Sequence, residues 1–278
     1  MGAPFVLAFV NKKETFMRII KSLSSKAEEL FVGIARLIFL MSLLFIGVSC
    51  GKGNPVNNNN AAETGTVSDI DGNIYKTIKI GNQVWTVDNL RTTKYNDGKP
   101  IPYVTDNNAW AALTTPGYCY HNNTANAYRR KKYGALYNWY AVDTKKLAPA
   151  GWHVPTDAEW DFLQNYLIAN GYNWDGTATG NKIAKSMAAQ ADWIVSKARG
   201  AIGNDSTRNN RSGFSAFPSN YRYYIGYFST IDESGYWWSA SEFFASDASF
   251  RFLYYDSDSL VKYNYDKSCG LSVRLVKD

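Results

Sequence analysis

Residues 151–160, with the sequence GWHVPTDAEW, constrain the fold more than any other segment of the chain. Pro155 favours an extended backbone in the residues before it. Thr156 is a good helix N-cap, and Glu159, three residues later, completes a capping box. Apolar residues at i, i+3 and i+7 then lie on one helical face: Trp160, Leu163 and Leu167. The segment therefore predicts an extended entry and then a helix that begins after Thr156 and ends near Asn170.

The surrounding patterns predict further helices and antiparallel strands. Turn residues between alternating segments predict two hairpins, which pair residues 74–80 with 83–86 and residues 250–255 with 260–265. Two shorter helices are predicted at residues 136–142 and 181–190, and a last strand at residues 271–276. Helices first and antiparallel strands afterwards indicate a single α+β domain.

Four other blocks accompany the GWHVP block in a fixed order. They are TVSDIDGNIYKTIKIGNQVWTVDNL at 66–90, YGALYNWYAV at 133–142, GYWWSASE at 235–242 and GLSVRLVKD at 270–278. Together they resemble the Fibrobacter succinogenes major paralogous domain, a family of bacterial envelope proteins. The resemblance implies a C-type-lectin-like domain with two to three helices and twisted antiparallel strands, related to the domain of formylglycine-generating enzymes. It implies a fold more than a function, because no single activity is established for that family.

The N-terminus resembles a lipoprotein signal. Residues 37–48, LIFLMSLLFIGV, follow basic residues and are too few for a membrane span, which needs about 20 apolar residues. They match the apolar region of a signal peptide, and the small residues before Cys50 resemble a lipobox. The resemblance implies a diacylglyceryl thioether on Cys50. The alternatives are a plain secretory signal with an incidental cysteine, or an uncleaved anchor; Met17 is a candidate true start.

Three segments are therefore expected. Residues 1–50 form the lipoprotein signal, residues 51–65 form an Asn-rich flexible tether, and residues 66–278 form one C-type-lectin-like domain. The expected location is the bacterial cell envelope, with a lipid anchor in the outer membrane. No acidic cluster follows Cys50, so the sequence leaves open which face of the membrane carries the domain.

Charge and cysteine content bear on two questions: whether the protein binds nucleic acid and whether it contains a disulfide. From Gly51 onward there are 24 Lys and Arg and 21 Asp and Glu, a near balance that gives no reason to expect nucleic acid. Cys119 and Cys269 remain once Cys50 is lipidated, and an exported protein could join them in a disulfide. The family resemblance implies cysteines where this chain has Ala148 and Leu275, so pairing and free thiols both remain open.

No catalytic, metal or cofactor site is evident in the sequence. There is no GxSxG elbow and no P-loop, and His153 is expected to be a packed or hydrogen-bonded core histidine. Asp256 and Asp258 could offer oxygen ligands to calcium, but such residues more often simply form a turn. The formylglycine-generating enzymes need a reactive cysteine pair late in the domain, where this chain has only Cys269. We therefore predict no enzyme, no cofactor and no metal.

Aromatic residues are the remaining candidates for a binding site. The chain has 20 tyrosines and 9 tryptophans, which are dense between residues 221 and 265. Trp237 and Trp238 are expected to fill the core, whereas Tyr223, Tyr224 and Tyr254 are candidate ligand-binding residues because strand alternation turns some rings outward. The sequence thus predicts a non-catalytic domain that binds a glycan or another surface macromolecule. The alternative is a structural or assembly protein of the envelope that recognises protein partners.

Overall fold

The computed structural model describes residues 64–278. The predicted signal segment, Cys50 and almost all of the predicted tether lie outside the described residues. The first strand begins at Thr64, two residues before the predicted domain boundary. Within residues 64–278, no helix combines the length and the hydropathy that crossing a membrane requires.

Ten strands form three sheets. They are β1 (Thr64–Ser68), β2 (Ile74–Ile80), β3 (Gln83–Thr86), β4 (Tyr118–Cys119), β5 (Leu136–Tyr137), β6 (Trp152–His153), β7 (Ser234–Glu242), β8 (Asp247–Tyr254), β9 (Val261–Asp266) and β10 (Val276–Lys277), counted within residues 64–278. The sheets have the orders β1-β2-β3-β10-β6, β4-β5 and β7-β8-β9. All the strand pairs are antiparallel. Both predicted hairpins are confirmed, as β2–β3 and β8–β9.

Five α-helices join these strands in the described part of the chain. They are α1 (Asn107–Ala111), α2 (Ala127–Tyr133), α3 (Trp139–Asp143), α4 (Asp157–Ala169) and α5 (Ala184–Met187). The predicted α4 is confirmed, because Thr156 caps it and forms the capping box with Glu159. The three residues predicted for its buried face are fully buried: Trp160, Leu163 and Leu167. The domain is therefore α+β, with more and shorter helices than the two or three predicted.

Two predicted helices are shorter than their sequence patterns. In residues 136–142, Leu136 and Tyr137 form β5 against β4, and only then does Asn138 cap α3 through its side chain. In residues 181–190 the single turn α5 ends where Ala188 bridges to Ala216. In both places pairing with a distant segment overrides the local helical pattern.

The predicted last strand is also shorter than its pattern. Only Val276 and Lys277 enter the five-stranded sheet, between β3 and β6. Leu271 and Ser272 instead make isolated bridges to β5 and β7. Every residue from 267 to 276 is buried, so the alternation of apolar and polar residues does not separate an inner from an outer face. The strands also begin before the helices, which corrects the predicted order of elements.

The core lies on both sides of the β7–β9 sheet. One cluster packs Trp85, Trp160, Phe214 and Trp237 between α4 and the sheets, and the Trp85 and Trp160 ring centroids are 4.8 Å apart. The second cluster surrounds Tyr137, Trp238 and Phe250. Trp237 and Trp238 are both fully buried, which confirms their predicted core role.

Buried arginines connect segments that are distant in the sequence. Arg274 donates to the Asn89 side chain and to the backbone carbonyls of Thr86, Phe214 and Ser215. Burial lowers its pKa to about 9. Arg222 donates to several carbonyls of the loop before α1, between the rings of Trp110 and Phe228. These guanidinium groups replace water as the partners of buried carbonyl oxygens.

Candidate functional site

The β7–β9 sheet has one face covered by helix α4. Side chains alternate along β8, so Arg251 and Leu253 share a face. Arg251 forms ion pairs with Asp157 at 2.8 Å and Asp161 at 2.6 Å, both on α4. Lys262 of β9 lies on the same side and also reaches Asp157, at 2.8 Å. These ion pairs join the sheet to α4. Because side chains alternate along each strand, the neighbouring residues Phe250, Phe252 and Tyr263 point away from α4.

The opposite face of this sheet carries a continuous group of rings, which we call the aromatic surface. Registered pairs place Tyr236 opposite Phe252 and Phe250 opposite Tyr263, so these rings point the same way. The Tyr236 and Phe252 rings stack with centroids 5.4 Å apart. The full set comprises Tyr221, Tyr223, Tyr236, Phe250, Phe252, Tyr263 and Tyr265.

Exposure varies across the aromatic surface. Phe250 forms its base and is only 4% exposed, whereas Tyr263 on the edge strand β9 is 40% exposed. Tyr223, Phe252 and the remaining rings are half-buried. The loop that carries Tyr221 packs onto the sheet, with the Tyr221 and Tyr236 rings 4.6 Å apart. The surface therefore combines a fixed apolar base with ring faces and edges that a ligand can reach.

The three tyrosines predicted as ligand-binding residues lie on or next to the aromatic surface. Tyr223 belongs to it, with its ring 4.5 Å from that of Tyr221, and the exposed Tyr224 lies near Tyr265. Tyr254 is half-buried and follows Phe252 by two residues on β8, so strand alternation places it at the end of the same face. None of the three predicted residues is buried.

Burial keeps the hydroxyls of four tyrosines on and beside this surface protonated at neutral pH. Burial raises the pKa of Tyr265 to about 12, and burial also raises the pKa of Tyr254 to about 12. Burial likewise raises the pKa of Tyr236 and Tyr221. The surface therefore presents uncharged rings and hydroxyl groups, which can stack on apolar faces and exchange hydrogen bonds with a neutral polar ligand.

Sequence reasoning missed most of the residues that build this surface. Phe250 and Phe252 alternate in β8, and Tyr263 and Tyr265 alternate in β9. That period of two was a usable signal for a shared face. The packing of Tyr221 on Tyr236 had no such signal, because it depends on how the 217–233 loop returns to the sheet.

The histidine and cysteines singled out in the sequence lie elsewhere. His153 is hydrogen-bonded, with Nε2 2.7 Å from Glu159 Oε1 and Nδ1 2.6 Å from Asp278 Oδ1, but it is partly exposed and not the core residue predicted. Cys119 and Cys269 are buried free thiols, so the disulfide considered from the sequence is not formed. They belong to different core clusters, Cys119 with Trp110 and Cys269 with the Tyr137 cluster. Burial raises the pKa of the Cys119 thiol to about 12.

The turn between β8 and β9 uses its carboxylates in hydrogen bonds to loops that are distant in the sequence. Asp256 accepts from the Ser196 hydroxyl, and Asp258 accepts from Trp174 Nε1 at 3.1 Å. Among residues 64–278, no group of three or more His, Cys, Asp and Glu side chains is arranged to hold a metal ion. The aromatic surface remains the candidate site.

Fold and surface together define an α+β domain with a partly exposed aromatic surface on the sheet face opposite α4. The model of the Fibrobacter succinogenes major domain family matches residues 78–277, and the chain belongs to that family. This match confirms the resemblance seen in the sequence blocks. Comparisons with curated proteins and with solved structures found no match.

Proposed function

We propose that this chain is a cell-envelope lipoprotein whose folded domain binds a glycan or another surface macromolecule without catalysing a reaction. The aromatic surface on the face of the β7–β9 sheet opposite α4 carries this proposal. Half-exposed rings above a buried base suit stacking on the apolar faces of sugar rings. The uncharged hydroxyls favour contacts with a polar ligand over acid–base chemistry near pH 7.

A glycan-array screen of the full chain tests the proposal, with one substitution inside the surface and one outside. Tyr263→Ala should weaken binding of any captured glycan by about 1 kcal/mol or more. Phe162→Ala is the matched control, because Phe162 and Tyr263 are both 40% exposed aromatic residues and Phe162 lies on α4, which covers the other sheet face. Equal loss of binding in both variants would refute a role for the aromatic surface.

The tyrosines predicted from the sequence should behave like Tyr263. Truncating Tyr223, Tyr224 or Tyr254 to Ala should weaken binding by about 1 kcal/mol or more. Unfolding stability should change least for the exposed Tyr224, by less than about 0.5 kcal/mol. Calcium-dependent lectins of the similar fold bind calcium through Glu-Pro-Asn or Gln-Pro-Asp together with Trp-Asn-Asp, and none of these tripeptides occurs in this chain, so binding should persist in a chelator. Loss of binding in the presence of a chelator would contradict calcium-independent binding.

An envelope assembly protein is the second candidate function. Phe243 and Phe244 form an exposed pair at the turn between β7 and β8, with ring centroids 4.4 Å apart. Exposed apolar pairs of this kind suit a protein contact better than a sugar. If the protein acts in assembly, Phe243→Ser with Phe244→Ser should abolish a purified complex while Tyr263→Ala leaves it intact. The reverse pattern favours the glycan proposal.

The lipid anchor is proposed from the sequence alone. A cysteine after small residues at the end of an apolar run is the substrate of lipoprotein processing, and it would attach the chain to the outer membrane. Labelled palmitate should enter the wild-type protein and not Cys50→Ser. Equal labelling of the two proteins would contradict the lipoprotein assignment.

We also propose that the fold is C-type-lectin-like. The support is the proline followed by the capped helix α4, together with a closing segment whose end, β10, returns to β3 near the start of the domain. An experimental structure provides the test. A structure in which the last strand lies away from β3 would contradict the proposal.

A further inference from the structure

We infer that the domain has a second binding site, which holds the carboxylate or phosphate of a small polar ligand. The site is a cavity of about 380 Å³ between the turn that joins β1 to β2 and helix α2. It is lined by Gly72, Asn73, Ile74, Arg91, Ala127 and Lys131. The cavity shares no residue with the aromatic surface, so this site does not depend on the proposed function.

Two cations from different elements meet in this cavity. Arg91 lies in the loop after β3, and Lys131 lies on α2. Within the described residues, neither side chain has a carboxylate partner. Nearby lysines are in contrast neutralised by ion pairs: Lys94 with Asp71 and Lys132 with Asp192. Among the described residues, Arg91 and Lys131 therefore line the cavity without a counter-charge.

The Arg91 guanidinium is held in place before any ligand binds. Its Nη2 donates to the Ile74 carbonyl at 2.9 Å, and the guanidinium lies over the Tyr75 ring, 4.5 Å from the centroid. The Arg91 backbone N–H also donates to the Tyr75 hydroxyl, at 3.1 Å. Nε and Nη1 remain for a ligand. A positioned guanidinium loses little conformational entropy when it binds an oxyanion, which strengthens the contact.

The lining indicates the chemical class of the ligand. Two positive charges without a carboxylate in the lining favour an anion, and a planar guanidinium suits the paired oxygens of a carboxylate or phosphate. Ile74 is exposed at the cavity wall and offers an apolar contact to the body of the ligand. A sugar acid satisfies all three features. A free inorganic anion matches the two positive charges and the planar guanidinium but makes no apolar contact with Ile74. The experiment distinguishes a sugar acid from a free inorganic anion.

Saturation-transfer NMR on the full chain tests the site with D-glucuronate and D-glucose as probes. The two sugars differ in the carboxylate, so transfer should be seen for D-glucuronate and not for D-glucose. Arg91→Gln and Lys131→Gln should each weaken D-glucuronate binding about tenfold, since each removes a charge-assisted contact. Lys197→Gln is the control, because Lys197 is an exposed lysine outside the cavity lining, and it should leave binding unchanged.

Competition with inorganic phosphate identifies the source of the anion. Full displacement of D-glucuronate by equimolar phosphate supports a site for small free oxyanions, and weak displacement supports a site for acidic sugars. Lys131 is exposed, so Lys131→Gln remains informative even if Arg91→Gln fails to fold. Absence of D-glucuronate transfer, equal transfer to D-glucose, or unchanged affinity in Lys131→Gln would each overturn the inference.

Discussion

His153 makes the stability of this domain depend on pH. One ring nitrogen contacts Glu159, the residue that also closes the N-terminal cap of α4, and the other contacts Asp278 beyond β10. Both nitrogens can donate only when the ring is protonated. Burial alone would lower the pKa of His153, but the hydrogen bonds and negative charges of Asp278 and Glu159 raise it above its usual value of 6.5. We predict that His153→Gln destabilises the protein at low pH more than at high pH.

The sign follows from the direction of the pKa change. A pKa that is raised in the folded state gives stabilisation that is complete below the unfolded-state pKa and is lost as the pH rises through the folded-state pKa. The ring is 38% exposed and Asp278 is 58% exposed, so solvent weakens each contact to about 0.5 kcal/mol. The expected pH-dependent difference is therefore about 1 kcal/mol in the free energy of unfolding.

Urea unfolding at about pH 5.5 and about pH 9, which bracket the usual histidine pKa, measures this difference. His153→Gln should lower the stability at the acidic pH and have little effect at the alkaline pH. Asp278→Asn should lose about half as much, because it replaces one of the two carboxylates that stabilise the protonated ring with a neutral amide. His121 titrates in both proteins and cancels in the comparison. An equal cost of His153→Gln at both pH values would refute the assignment of a protonated ring.

Three further substitutions test the packing. Trp160→Ala should cost about 3–5 kcal/mol and Thr156→Ala about 1 kcal/mol; equal melting temperatures would show that Trp160 contributes no core packing. Arg274→Leu should cost about 3 kcal/mol or more in urea unfolding, since the buried carbonyls of Thr86 and Phe214 and the partly buried carbonyl of Ser215 lose this donor; wild-type stability would show that water replaces the guanidinium. Gly134→Ala should lower the melting temperature more than Gly171→Ala. Both glycines have a positive φ, but only at Gly134 would an added Cβ lie 2.8 Å from a backbone atom, the Leu90 carbonyl oxygen. Equal melting temperatures would contradict this clash.

The elements that the sequence predicted correctly are those specified by nearby residues. Helix α4 depends on a proline, a capping box and an apolar face within fifteen residues of each other. The β2–β3 hairpin depends on Gly81, whose φ is +64° and which therefore suits the tight turn. Turns and helix caps depend on residues that are adjacent in the sequence, so these elements could be predicted without knowledge of distant contacts.

The elements that differ depend on distant partners. Leu136 and Tyr137 follow a helical pattern but pair with β4, and residues 271–276 follow a strand pattern but are buried on both sides. Arg222 and Arg274 belong to a residue type that is usually exposed. They are buried because carbonyl groups from separate loops accept their hydrogen bonds. These contacts join residues that are distant in the sequence, so no local pattern predicts them.

The candidate site falls between these two cases. Tyr223, Tyr224 and Tyr254 were predicted from the density of rings and from strand alternation, and all three lie on or beside the aromatic surface. Helix α4 packs on one sheet face through its apolar residues and the ion pairs of Arg251, so the aromatic surface lies on the other face. The sequence predicted that aromatic residues would be exposed, but not which of them would form one surface.

The central place of β10 has a consequence for the order in which the chain can fold. Strands β1, β2 and β3 leave the ribosome early. The strand that lies beside β3 in the sheet is β10, which is formed by Val276 and Lys277. β6 joins that sheet only through β10, and the donor Arg274 arrives at the same late stage. A nascent chain therefore holds its first hairpin open along one edge until synthesis reaches residue 277. During that interval the unpaired edge of β3 is open to pairing with the wrong strand or with another chain.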